Sequence, residues 1–267
     1  RSKEAKIYFD KAINLNPNSF ETLNNMAGFY LEEEDYQKAI QFYNKANELR
    51  PNNPVVINNL AKTYICIHDI EEAEKYCKKA ISIDKKNDEF KKTLALILLK
   101  KYDFKSAWLF FDGRLGLSEF SKKNPALKLI QKKLPKQKIL NKNSNILVLR
   151  EQGVGDEILY GSMYYDLLNE FKNLIIECDE RLIPLFKNSF LSHQNKFVKL
   201  GSHSLDTNKI NKFDYIIYAG SLGKYFRNDL KSFSQNPYLK SIENYKDLEL
   251  NNILNQTKGL KIGISWK

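Results

Sequence analysis

The chain has 267 residues and a formal charge of +11, room for two domains of ordinary size and a balance that invites a nucleic-acid partner. The distribution of charge argues against that partner: residues 1–121 carry a balance of +1 and residues 146–267 one of +2, while the other +8 lies in the acid-free stretch 122–145, where no aromatics interleave with the lysines. Three cysteines (Cys66, Cys77, Cys178) and three scattered histidines (His68, His193, His203) give neither a disulfide framework nor zinc-ligand spacing, and no apolar run approaches the ~18 residues of a membrane span.

The first half repeats with a period of 34: alanines stand at 5, 39, 73 and 107, at 12, 46 and 80, and at 27, 61 and 95. Pro17 and Pro51 keep the same spacing, as do Asp35, Asp69 and Asp103, and rings recur at Tyr30 and Tyr64 and at Tyr36 and Phe104. Helical hairpins need small residues where two helices approach closely, and Asn-Pro between helices stops one and orients the next. With Ala27, Ala39 and Ala46, Tyr43 and Pro51, the pattern is similar to the tetratricopeptide repeat.

Full repeats are expected at about 20–53 and 54–87, with a divergent third at about 88–117. Residues 3–16 read as the second helix of an earlier repeat, so the array is expected to continue upstream. Its concave face would take a protein or peptide, or the array would serve as a rigid spacer. In SAWLFFDGRLGL (106–117), Arg114 replaces the last alanine of the pattern, so the solenoid, assigned to 1–121, is expected to end there. Pro125 and Pro135 flank the lysine-rich stretch, which reads as a linker over 122–144, either solvated or facing an acidic surface.

Beyond it, strands are expected at 145–150, 174–178, 196–200, 214–219 and 261–266, with helices at 157–170, 179–188 and 244–256. Strands separated by helices imply a parallel sheet, whose ligands bind beyond the carboxyl ends of the strands. EQGVGD (151–156) and GSLGKYF (220–226) both follow strands and are expected to face one crevice.

EQGVGD has no Gly-Lys-Ser/Thr and no third glycine at the dinucleotide position, and Asp156 and Glu157 would repel a phosphate at the helix N-terminus. Two readings of Asp156 stay open on residue type alone: a helix cap, and a general base that takes a proton from an acceptor hydroxyl.

The order of the pieces adds a resemblance. A repeat array ending in SAWLFFDGR, a strand entering EQGVGD, a later NPYLK (236–240) and then KIGISWK resemble the bacterial tetratricopeptide proteins with a heptosyltransferase-like glycosyltransferase domain. The resemblance implies an α plus α/β fold. A helical solenoid would precede a Rossmann-like parallel-sheet domain over 145–260, the acceptor half of a two-domain GT-B enzyme, and 261–267 would open the donor half. It implies transfer of a sugar from a nucleotide-diphospho-sugar to a hydroxyl of a glycan or protein, inverting and without a metal or other cofactor. Asp156 would be the base, with Gly153 and Gly155 matching the family glycines and Glu151 and Gln152 also matching.

Ser221 and Lys224 of the second loop are expected to bind substrate, Lys224 by offering charge to an acidic acceptor. Residues 1–267 alone, lacking most of a donor domain, are expected not to turn over. Glu157 and Ser162 depart from the family's Thr and Arg, which removes one positive charge and adds a negative one near the acceptor. The expected place is the cytoplasm, free or peripheral at the inner membrane. The alternative is a protein-interaction scaffold whose Rossmann-like half is not catalytic.

Overall fold

The computed structural model describes residues 2–124, 126–135 and 141–240. The expected helix at 244–256, the strand at 261–266 and the start of a donor half lie outside the described residues, as does Pro125.

The first half is a run of antiparallel helices: α1 (Ser2–Leu15), α2 (Phe20–Glu32), α3 (Tyr36–Leu49), α4 (Pro54–Cys66), α5 (Ile70–Ile83), α6 (Asp88–Lys100) and α7 (Phe104–Phe111). The alanine series explains the packing. Ala27, Ala39, Ala46, Ala61, Ala73, Ala80, Ala95 and Ala107 are all fully buried where helices meet. The aspartate series explains the turns. Asp35, Asp69 and Asp103 cap α3, α5 and α7, each accepting the backbone N–H three residues on. The residue before each (Glu34, His68, Tyr102) has φ near +60°, the left-handed turn that closes the preceding helix. A second series is visible only in the structure: Ser19, Asn53 and Asn87 cap α2, α4 and α6. Replacing Asp69 by Ala is expected to lower stability by about 1 kcal/mol, read as an earlier urea midpoint with an unchanged slope.

After α7 the chain makes a short 3-10 turn over Asp112–Gly116 and enters α8 (Ser118–Lys123) and α9 (Leu127–Ile130). It then builds β1 (Ile146–Leu149), α10 (Val154–Gly161), α11 (Tyr164–Glu170), β2 (Leu174–Cys178), α12 (Ile183–Ser189), β3 (Phe197–Lys199), α13 (Thr207–Ile210), β4 (Tyr215–Tyr218) and α14 (Gly223–Phe226). The four strands form one parallel sheet in the order β3-β2-β1-β4.

Side chains alternate between the two faces of the strands, and both faces are covered. Ile146, Val148, Ile176 and Ile217 pack against Tyr160, Tyr164, Leu167 and Phe186 of α10, α11 and α12. Leu147, Leu149, Ile216 and Tyr218 pack against Phe120, Leu127 and Ile130. The lysine-rich stretch is therefore more than a solvated connection. Its apolar residues Leu127 and Ile130 close the second face of the sheet while Lys122, Lys123 and Lys128 stay exposed.

The helix expected over 157–170 begins three residues earlier and breaks after Gly161. Ser162 is the reason. Its hydroxyl bonds back to the Leu159 carbonyl at 2.7 Å, and its own carbonyl is taken by the Arg227 guanidinium at 2.8 Å instead of by a helical N–H.

Candidate functional site

β1 delivers Arg150, Glu151 and Gln152 to the carboxyl end of the sheet, beside the point where strand order reverses between β1 and β4. Gln152 takes φ +60°, and its carbonyl accepts from Arg150 at 3.0 Å, so the chain turns sharply into α10. Gly153 is the residue that caps α10. Asp156 is the third residue of the helix, and its carboxylate accepts the Gly153 N–H at 3.2 Å. Asp156 thus holds the helix start by reaching back, rather than standing as the cap itself. No neighbouring atom comes within 4 Å of where a side chain on Gly155 would begin, so the helix start is open there.

Glu157 does not add charge to the open side of the loop. It is fully buried, and both its oxygens accept the Asp179 N–H at the end of β2, at 3.0 and 2.9 Å. Burial raises its pKa, while Arg150 approaches it at 3.4 Å and also binds Asp179 at 3.0 Å.

Glu151 turns the other way. It is fully buried and bidentate with Arg114, at 2.8 Å for both bonds, and it also accepts the Gly220 N–H. Arg114, itself 4% exposed, further donates to Ser221 Oγ at 2.9 Å, to Asp112 at 3.0 Å and to the Phe111 carbonyl at 3.1 Å. Ser221 donates to Asp112 at 2.6 Å, and the Lys224 ammonium lies 2.9 Å from the other Asp112 oxygen. Burial alone would push the Asp112 carboxyl up, but the charges of Lys224 and Arg114, with the Ser221 hydroxyl, hold it below its ordinary value.

EQGVGD and GSLGKYF therefore do meet, as expected, but Arg114 fills the space between them. Three of the residues expected to bind substrate (Glu151, Ser221, Lys224) are bound to one another through Arg114 and Asp112. Gln152, Gly153 and Gly155 stay exposed, and Asp156 is half-buried. The junction extends to Trp108, whose indole N–H donates to the Arg227 carbonyl at 2.6 Å. Its ring lies so close to Gly223 that an added Cβ would meet it at 2.5 Å. Arg227 also reaches Asp166 at 2.7 Å.

Trp108 and Asp112 belong to SAWLFFDGRLGL, which marks the end of the array, but neither they nor Arg227 is assigned to the site by sequence. The available signal was Arg114 itself, a charge where the repeat calls for alanine. NPYLK lies on the same unit: the Tyr238 hydroxyl donates to the Ile158 carbonyl, and the Lys240 N–H donates to Ser189 at 2.9 Å.

A cavity of about 340 Å³ opens on the other side of the β1 loop. Leu149 to Gln152 form one wall, Leu200, Gly201, Ser204 and Leu205 another, and Lys123 with its neighbours a third. The wall after β3 is pinned by Glu177, a fully buried acid on β2. It accepts the N–H groups of Gly201 (2.9 Å), His203 (2.6 Å) and Ser204 (2.9 Å) and the Ser204 hydroxyl (2.6 Å). Asp156, Ser221 and Lys224 do not line this cavity. Among the described residues no cluster of His, Cys, Asp and Glu could hold a metal, and no helix is long and apolar enough to cross a membrane.

Comparisons with known proteins agree on the first half. Two family models, both described as tetratricopeptide repeat, match residues 30–97 and 8–41. The chain thus contains tetratricopeptide repeats within residues 8–97. No curated protein matches it.

Similar solved structures include PilF of Pseudomonas aeruginosa, 24% identical over 42% of this chain and 51% of that one, with TM-score 0.38. YrrB, described as a tetratricopeptide protein with an unusual peptide-binding site, is 24% identical over 42% of this chain and 57% of its own, with TM-score 0.38. The first such domain of Spaghetti (RPAP3), solved with an HSP90 peptide, is 21% identical over 38% and 81%, with TM-score 0.36. The chain spans about half the length of the first of these.

Proposed function

We propose that the sheet unit is the acceptor side of a GT-B glycosyltransferase and that the repeats hold a protein partner or protein substrate. The observation that carries this reading is a four-stranded all-parallel sheet, ordered β3-β2-β1-β4, whose first strand runs directly into EQGVGD at the reversal of strand order. A sugar would pass from a nucleotide-diphospho-sugar to an acceptor hydroxyl, without a metal. Asp156 would take the hydroxyl proton, its carboxylate oriented by the Gly153 N–H. The carboxylate in the first turn of α10 supports the acceptor side, because a diphosphate there would meet like charge. The open approach at Gly155 supports close access by an acceptor.

The test is release of nucleoside diphosphate by the intact protein from a panel of nucleotide sugars, with cell extract as the acceptor source. Asp156→Asn is expected to lower release at least about a hundredfold while leaving the fold intact. Equal release by both proteins would leave Asp156 as the holder of its helix start and reject it as base.

One observation favours a second reading, that of a scaffold. Glu151, Ser221 and Lys224 are committed to Asp112 and Arg114, which join the array to the sheet. Absence of release with every donor, under conditions where the repeats still capture a partner, would favour it.

A further inference from the structure

The cavity beside the β1 loop has a chemical character of its own. Its apolar lining includes two leucines that stand open to solvent, Leu200 at 43% and Leu205 at 60% exposure. These exposed leucines share one wall, with Leu149 on another, and line a cavity of about 340 Å³, an apolar slot at the lower end of the range for small-molecule sites, about 300–1,000 Å³. Leu149 and Tyr218 also line the slot. Tyr218 is almost fully buried, and its hydroxyl has no hydrogen-bond partner among the described residues.

The unpaired charge on the walls is positive. Glu151 is the one carboxylate residue of the lining, and both its oxygens are spent on Arg114 and Gly220. The cations are Lys123, which has no acidic partner among the described residues, and Arg150, which is shared with Glu157 and Asp179. Lys123, Asn124 and Gln152 also line a smaller neighbouring cavity of about 130 Å³ that runs toward Lys92 of α6 and Arg114. These three polar residues thus stand on the side of the slot toward α6 and Arg114, where the smaller cavity also includes the acid Glu119.

We propose that this cavity binds a small amphiphilic anion, with its apolar body between Leu149, Leu200 and Leu205 and its charged group against Lys123. The geometry of the walls suits such a ligand. The Glu177 hydrogen bonds fix the 201–204 segment, so the slot exists without a ligand to shape it. The inference stands apart from sugar transfer, since it concerns a site that Asp156 does not line and a binding event that needs no donor.

The test uses the intact protein and two fluorescent probes of like shape, anilinonaphthalene sulfonate and the uncharged phenylnaphthylamine. The anionic probe is expected to bind at a single site, at least about tenfold tighter than the neutral one. Lys123→Gln should erase that preference and leave neutral binding unchanged. Leu205→Glu, at an exposed position that the fold tolerates, should abolish binding of the anionic probe with no change in melting temperature. Equal affinity for the two probes, or a preference that survives Lys123→Gln, would overturn the charge assignment. Binding that survives Leu205→Glu, or no saturable binding by the wild type, would overturn the site.

Discussion

Arg114→Met is expected to destabilise the protein by about 3–5 kcal/mol, the range for removing one partner of a buried ion pair. The size follows from what is left behind. Glu151 would remain fully buried with a carboxylate matched only by the Gly220 N–H, and Asp112 and Ser221 would each lose a donor. Urea unfolding followed at Trp108, which sits in the same junction, reads the loss directly. The double variant Arg114→Met with Glu151→Gln should recover part of it, because a neutral amide keeps an acceptor for Gly220 without stranding a charge. A single variant within 1 kcal/mol of wild type would mean that the pair is hydrated and that the junction is held by Trp108 and the apolar contacts alone.

The second large effect is expected at Glu177. Glu177→Leu keeps the volume and the burial but removes the acceptor for three N–H groups and one hydroxyl. Unmade buried hydrogen bonds cost about 1–3 kcal/mol each, and the segment can relax into water, so a net loss of about 3 kcal/mol is expected. Hydrogen exchange separates this from a general weakening. The amides of Gly201, His203 and Ser204 should exchange much faster, while those in the interior of β1 change only with global stability. Protection retained at those three positions would show that the segment is held by something other than the acid.

The array was legible because its constraint is steric and periodic. A position that accepts only alanine at a helix crossing recurs every 34 residues, and the aspartates that cap α3, α5 and α7 recur with it. The described strands were legible as short apolar runs, and the parallel order follows from the helices between them. The junction was not legible. Its partners are scattered from Trp108 to Arg227 in sequence and meet only through the fold. Residue type also misleads there: Lys224 reads as a free cation and Glu157 as an exposed acid, and each has a buried or paired role that depends on a distant residue. The lysine-rich stretch misled for a related reason, since composition counts its lysines, whereas the fold uses Leu127 and Ile130.

The Arg114–Glu151 pair also constrains how this protein can change over generations. Loss of Arg114 alone leaves Glu151 as a lone charge sealed from water, whereas loss of Glu151 leaves Arg114 still paired with Asp112, so the two positions do not tolerate change equally. The helical half therefore holds the cation that answers the sheet's buried acid, and residue 114 is the position whose change the sheet would feel most.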